Sequence, residues 1–188
     1  MTNICIFASG GGTNAEAIIT HFSNHPNIRV GLIISSRPDA FVLKRANNHH
    51  IDSVVLNRNS FLYTNELLED LEKFSVDFIV LAGFMWLVPS YIVNAYLNKI
   101  VNIHPALLPK YGGIGMYGSH VHEAVIAAGE KESGITIHYV NEHYDEGAII
   151  AQETCAVAPD DTPGALAEKI HALEHKHYPR VIESVLST

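Results

Sequence analysis

The stretch NICIFASGGGTNAEAIITHF, residues 3–22, decides the fold. Its first six residues are a nearly unbroken apolar run, the length of a buried strand. Ser9-Gly10-Gly11-Gly12 stops that run. Ala15, Ile18, Ile19 and Phe22 then recur at the spacing of one helix face. Strand, glycine turn and helix in this order make the opening unit of an α/β sheet.

Working outward, the alternation repeats. Strands are predicted near 28–35 (IRVGLIIS), 52–56, 77–82 (DFIVLA) and 99–104 (KIVNIH), with helices near 38–48 and 60–74 and a helical turn after Pro89. Strands separated by helices require right-handed crossovers and a parallel sheet covered on both faces. From Pro105 to Gly118 the composition turns to Gly and Pro, which predicts a long loop. A helix near 119–129 then precedes GITIHYV and AIIAQETCAV, whose connection NEHYDEG is too short for a helical crossover and therefore predicts an antiparallel pair. Thr162-Pro163 supplies an N-cap and a first-turn proline, and Leu166, Ile170, Leu173, Val181 and Val185 predict a final helix kinked at Pro179. The fold class is an open, mostly parallel, Rossmann-like α/β sheet with helices on both faces and an antiparallel strand pair toward the C-terminus. One domain over residues 1–188 is expected, with a phosphate-binding half at about 1–100 and a catalytic half at about 77–188.

The chain has 188 residues, 47% of them hydrophobic, enough for one sizeable core. Twenty acidic against twelve basic residues give a net charge of -8, which disfavours nucleic-acid and anionic-membrane partners and favours small-molecule chemistry. Cys5 and Cys155 lie in apolar strand-like runs and read as reduced core residues. Without a basic start, apolar stretch and cleavage site, the expected location is the cytoplasm.

Asn102 and His104 are two apart at the end of a strand, so both side chains leave the sheet on one face, where ligands of parallel sheets bind. An amide and an imidazole can hold an oxyanion and move a proton. Equally, the histidine could donate to a nearby carbonyl while the asparagine caps the turn. Asp145, in the loop NEHYDEG, is either a solvated turn former or a carboxylate that raises the pKa of His104. The turn Ser9–Asn14 can cradle a phosphate on backbone N–H groups, although it lacks the Lys-Ser/Thr ending of a Walker loop. The second strand closes on Ser35-Ser36-Arg37, without the acid a dinucleotide site uses, so a monophosphate fits better. His171 and His175 can share a helix face, but no partner stands at a ligand spacing and no metal is expected. Glu174 lies beside the apolar stripe, as a solvated flank would. Met85, Trp86, Leu87 and Val88 follow a strand end, as core or against a flat ligand.

SGGGTN at 9–14, VLAGFM at 80–85, NIHPALLPKY at 102–111, DEG at 145–147 and EHKHYP at 174–179 together resemble the phosphoribosylglycinamide formyltransferase family, folate-dependent enzymes of purine biosynthesis. The resemblance spans nearly the whole chain. It implies Asn102, His104 and Asp145 as catalytic residues, Gly12, Thr13 and Asn14 on the substrate phosphate, and Glu174 on the glycinamide or ribose. Met85, Trp86, Leu87, Val88 and Asn102 would meet the folate, with the Asp145 loop closing over the pteridine. The implied co-substrate is 10-formyltetrahydrofolate and the acceptor phosphoribosylglycinamide, with no metal, no nucleic acid, no membrane, and a monomer or weak homodimer. The substrate amine would attack the formyl carbon directly. Asn102 and protonated His104 would hold the oxyanion of the tetrahedral intermediate, with Asp145 orienting the histidine.

The sequence departs from the family pattern twice. Thr64 stands where many relatives carry an arginine, and Gly112–Gly118 is longer and richer in glycine. Rival readings are formylation of an amino sugar nucleotide or of methionyl-tRNA, hydrolysis of formyltetrahydrofolate, and a non-catalytic nucleotide-binding module.

Overall fold

The structure, a computed structural model, describes residues 1–187. The chain runs β1 (Thr2–Ala8), α1 (Thr13–Phe22), β2 (Ile28–Ser35), α2 (Phe41–Asn48), β3 (Asp52–Val55), α3 (Arg58–Tyr63), α4 (Glu66–Lys73), β4 (Phe78–Leu81), α5 (Ser90–Ala95), β5 (Ile100–His104), α6 (Ser119–Ala127), β6 (Glu132–Tyr139), β7 (Ile149–Ala156) and α7 (Pro163–Leu186). The seven strands form one sheet in the order β3-β2-β1-β4-β5-β6-β7. Two compact units divide at Val101/Asn102, inside β5.

In the first unit β1 pairs in parallel with β2 on one side and β4 on the other. Every residue of β1 after Thr2 and every residue of β4 is buried, which requires cover on both faces of the sheet and explains the unbroken apolar runs. On α1 the residues turned inward are Ala15, Ile18, Ile19 and Phe22, the predicted stripe. Because β2 and β3 continue from one side of β1 and β4 lies on the other, strand order reverses between β1 and β4. The carboxyl ends of these two strands form the switch point at which such sheets bind ligands.

The predicted helix at 60–74 is two helices. Thr64 adopts an extended backbone between α3 and α4. Its hydroxyl donates to Ser60 O (3.0 Å) and accepts from Glu66 N (3.3 Å), replacing the helical bonds at the break.

In the second unit β6 and β7 are antiparallel, with a bulge between Ile137 and His138. Thr162 caps α7 by accepting from Ala165 N at 3.1 Å. As expected, α7 runs through Pro179 and continues to Leu186. Its buried stripe runs through Leu166, Ile170, Glu174, Tyr178 and Ile182, so Leu173, Val181 and Val185 flank the core rather than make it. Cys5 and Cys155 are both free. No helix among the described residues is long and apolar enough to cross a membrane.

Candidate active site

The first unit presents the glycine turn at its switch point. Ser9 ends β1 and is held on three sides. Its N–H donates to Gly83 O (3.0 Å), its hydroxyl accepts from Met85 N (3.1 Å), and the same hydroxyl lies 2.6 Å from that of Ser36. A hydroxyl oxygen can accept twice, so either serine can be the donor in the Ser9–Ser36 bond. The loops after β1, β2 and β4 are thereby tied together.

Gly12 caps α1 at φ +69°, and a Cβ there would lie 2.6 Å from Val42 Cγ2, so both the conformation and the close approach demand glycine. No side chain caps α1, and an uncapped helix N-terminus of this kind can accept an anion. Across from the turn, Val42 N donates to Gly10 O (3.1 Å) and Arg45 Nε to Gly11 O (2.8 Å). Glu16, in the first turn of α1, accepts from Arg45 Nη1 at 2.9 Å and lies 2.7 Å from His49 Nε2. The contact with His49 is the largest influence holding the Glu16 carboxyl below the usual range; burial opposes it and Arg45 adds to it.

The segment after β4 is amphipathic. Val88 is buried, whereas Met85 and Leu87 are exposed. Trp86 packs on Phe61 and Phe84, and the Arg58 guanidinium lies 5.7 Å from its ring centre. An apolar surface with an indole beside a cation suits a flat heteroaromatic ligand.

The second unit gathers the titratable groups. His104, 4% exposed, has both ring nitrogens engaged: Nε2 lies 2.7 Å from Tyr111 O and Nδ1 3.4 Å from Asp145 Oδ2. The carbonyl can only accept, so Nε2 carries the proton and neutral His104 turns its Nδ1 lone pair toward the carboxylate. Burial is the largest influence on His104 and pushes its pKa below the ordinary histidine value; Asp145 and the Tyr111 carbonyl raise it, and His138 adds to the lowering. The expected upward pull of Asp145 is present, but the net shift is downward because desolvation outweighs it. The bland alternative, donation to a carbonyl, is realised in the same residue.

Asp145 is not a solvated turn former. Its side chain is 10% exposed, and Oδ2 accepts from Gly113 N at 2.9 Å. Burial pushes the carboxyl upward, yet His138, the charge of His104 and the Gly113 amide together hold it below the usual range. Asp145 sits at φ +56°, a left-handed conformation that aspartate tolerates. Two residues on, a Cβ on Gly147 would fall 1.6 Å from Tyr139 O, so the chain closes back onto β6 only with glycine there.

Sequence reasoning missed His138. Asn102 Nδ2 lies 3.2 Å from its Nε2, while its Nδ1 lies 2.8 Å from Tyr139 O. The carbonyl fixes the proton on Nδ1, so Nε2 accepts from Asn102 and orients the amide. Asp145 Oδ1 is 3.6 Å from the same nitrogen. Thr136 and Gln152, a cross-strand pair, were missed as well. The Thr136 hydroxyl donates to Ala106 O (2.7 Å) and accepts from Leu108 N (3.0 Å) and Gln152 Nε2 (2.9 Å), pinning the turn that follows His104. Polar residues within the otherwise apolar run GITIHYV, Thr136 and His138, were the available signals.

Glu174 is 6% exposed, inside the buried face of α7 rather than on a solvated flank. The Tyr178 hydroxyl titrates well above its ordinary value, chiefly through burial and further through the charge of Glu174. His171 and His175 stack with ring centres 6.3 Å apart. Among the described residues no three His, Cys, Asp or Glu side chains are placed to hold a metal ion.

Comparisons with known proteins show the family to which the chain belongs. Residues 2–182 match the formyl transferase family. The phosphoribosylglycinamide formyltransferase of Bacillus subtilis is 38% identical, the match covering 99% of this chain and 95% of that one. The chloroplastic enzyme of Arabidopsis thaliana is 39% identical over 97% of this chain, which spans 64% of that longer protein. A crystal structure of phosphoribosylglycinamide formyltransferase from Bacillus halodurans is 40% identical, with a TM-score of 0.89 over 100% of this chain and 96% of the other. The chain belongs to the formyl transferase family and, within it, to the phosphoribosylglycinamide formyltransferases.

Proposed function

We propose that this formyltransferase takes its one-carbon unit from 10-formyltetrahydrofolate and passes it to the amine of phosphoribosylglycinamide by direct attack. The observation that carries the reading is the arrangement of Asn102, His104 and Asp145, an amide donor and an imidazole on one strand end with a carboxylate 3.4 Å from the ring.

The amine adds to the formyl carbon, and negative charge develops on the formyl oxygen. Asn102, oriented by His138, donates to that oxygen. His104 acts in its imidazolium form: with Nε2–H held by the Tyr111 carbonyl, the second proton, on Nδ1, brings the positive charge that offsets that oxygen. Its low pKa favours the neutral ring at rest and makes the imidazolium a willing acid. Asp145 steadies the imidazolium through the Nδ1 face, so charge on the ring is offset as it forms. The proton lost by the amine passes to water or to Asp145, and collapse of the intermediate expels N10 of the folate, which takes up that proton.

Gly12, Thr13 and Asn14 hold the phosphate, and Glu174 meets the glycinamide or ribose. Met85, Trp86, Leu87 and Val88 face the folate, Val88 through its backbone because its side chain is buried. The chain acts in the cytoplasm, as a monomer or weak homodimer, without metal, nucleic acid or membrane.

Transfer from labelled 10-formyltetrahydrofolate is the test, run against phosphoribosylglycinamide, its dephosphorylated form, an amino sugar nucleotide, methionyl-tRNA and water. Product from the first alone is expected. Formate release to water at a matching rate, or transfer to another amine, would overturn the assignment.

A further inference from the structure

The glycine turn is built by α2 as much as by itself. Two successive carbonyls of the turn are drawn to that helix, Gly10 O by Val42 N at 3.1 Å and Gly11 O by Arg45 Nε at 2.8 Å. A peptide plane points its C=O and N–H in opposite directions, so these contacts turn the N–H groups of Gly11 and Gly12 away from α2. That is the orientation in which they can converge on an anion.

The same place holds a charge of the wrong sign. Glu16 lies in the first turn of α1, where its carboxylate repels any anion brought to the helix N-terminus. Both its oxygens are occupied, one by Arg45 Nη1 at 2.9 Å and the other by His49 Nε2 at 2.7 Å. Arg45 is therefore bound at once to the turn's backbone and to the interfering carboxylate. The Phe41 ring, 5.1 Å from the guanidinium, helps fix its plane. Lysine at this position would have one point charge and no fork with which to do both.

We infer that Arg45 is a positioning residue for the substrate phosphate, holding the Gly11 carbonyl so that the turn's N–H groups converge and cancelling the charge of Glu16. The inference rests on the reading that Gly12–Asn14 take the phosphate. It names Glu16 as a residue that weakens substrate binding when its partner is lost.

Steady-state kinetics on phosphoribosylglycinamide, its dephosphorylated form and 10-formyltetrahydrofolate test it. The unaltered enzyme is measured first, and no preference for the phosphorylated amine would overturn the phosphate reading and the inference with it. Given that preference, Arg45→Gln should raise KM for the phosphorylated amine at least about tenfold while kcat and the folate KM stay within about twofold. Adding Glu16→Gln to Arg45→Gln should recover a severalfold part of that loss, because the repelling charge is gone. A purely structural role gives no such rescue. Glu16→Gln alone should lower KM for the phosphorylated amine severalfold and leave the dephosphorylated form unaffected. An unchanged KM in Arg45→Gln, or failure of the second substitution to restore it, overturns the inference. Should Arg45→Gln not fold, Glu16→Gln decides alone, and an unchanged or higher KM overturns it.

Discussion

The glycine turn and the histidine cluster solve opposite problems. On the proposed reading the turn binds through backbone N–H groups, which carry no net charge and cannot titrate, so its function would depend on φ angles and close approach. In the second unit the proposed catalytic groups are buried side chains whose protonation is set by neighbours. The turn is written in sequence as a local pattern of glycines. The cluster is assembled from β5, β6 and two loops, so no local pattern contains it. The difference teaches which substitutions should hurt: backbone geometry at the first site, proton position and charge at the second.

The largest expected effect is at the cluster. His104→Ala and Asn102→Ala should each lower kcat by about two to four powers of ten, the range for a lost acid–base group or oxyanion donor, with the circular dichroism spectrum unchanged. Near-normal turnover in either would break the contrast by moving the chemistry elsewhere.

Gly12→Ala attacks the backbone site. A Cβ at φ +69° and 2.6 Å from Val42 Cγ2 combines left-handed strain with overpacking, together costing about 2–4 kcal/mol. Thermal denaturation should show a lower Tm, and KM for the phosphorylated amine should rise more than the folate KM. A substitution that costs stability but spares both KM values would show that the turn's exact shape is not what binds.

Thr136→Val is expected to act more modestly. The hydroxyl takes two donors and supplies one proton in a buried position, so its loss strands Leu108 N–H and Ala106 O, while Gln152 Nε2 keeps its bond to Leu108 O. About 1–3 kcal/mol of destabilisation follows, measurable by urea unfolding. Activity should fall further than stability explains, because the turn after His104 is what this hydroxyl pins. Equal loss of both would make Thr136 a core residue only.

How much was legible follows the same division. β1, α1 and the cap at Thr162 were readable because period, glycine and capping signals act within a few residues. Asn102 and His104 were readable as a pair because alternation places them on one face. His138 was not, since its role comes from a bulge in β6 and from contacts with a residue 36 positions away. α7 shows the error in detail. The apolar residues predict a stripe through Leu166, Ile170, Leu173, Val181 and Val185; the first two are buried, but from there the buried line steps by four through Glu174 and Tyr178. Polar residues inside a buried face defeat hydrophobic periodicity, and they do so where the residues face one another rather than water. The helix break at Thr64 was missed because a hydroxyl that bonds its own backbone leaves no composition signal.

The smallest effect concerns the charge of Asp145 and is the most direct test of the cluster's electrostatics. Burial holds His104 below its ordinary pKa, and Asp145 opposes that shift. In Asp145→Asn the opposing charge is gone while burial stays, so the His104 pKa should fall further. The alkaline limb of the kcat/KM profile, where the imidazolium is lost, should move with it, to lower pH, alongside any loss of rate. Stability carries the same sign. A histidine whose folded pKa lies below its unfolded value contributes full stability above the unfolded value and loses it as pH falls toward the folded one. The variant's lower folded pKa extends that loss further into acid, so its Tm should drop more steeply below about pH 6.5, the ordinary histidine pKa. Removing Asp145 also removes a carboxylate whose own lowered pKa favours folding, but that contribution is lost only near the acid end of the carboxylate range. The two can therefore be separated by where along the pH axis Tm changes. An NMR titration of the ring, assigned by comparison with His104→Ala, reads the pKa itself. If the rate falls while the ring titrates unchanged, Asp145 acts through its bond to Gly113 N, holding the loop in place, and the cluster would then depend on backbone geometry as the glycine turn does.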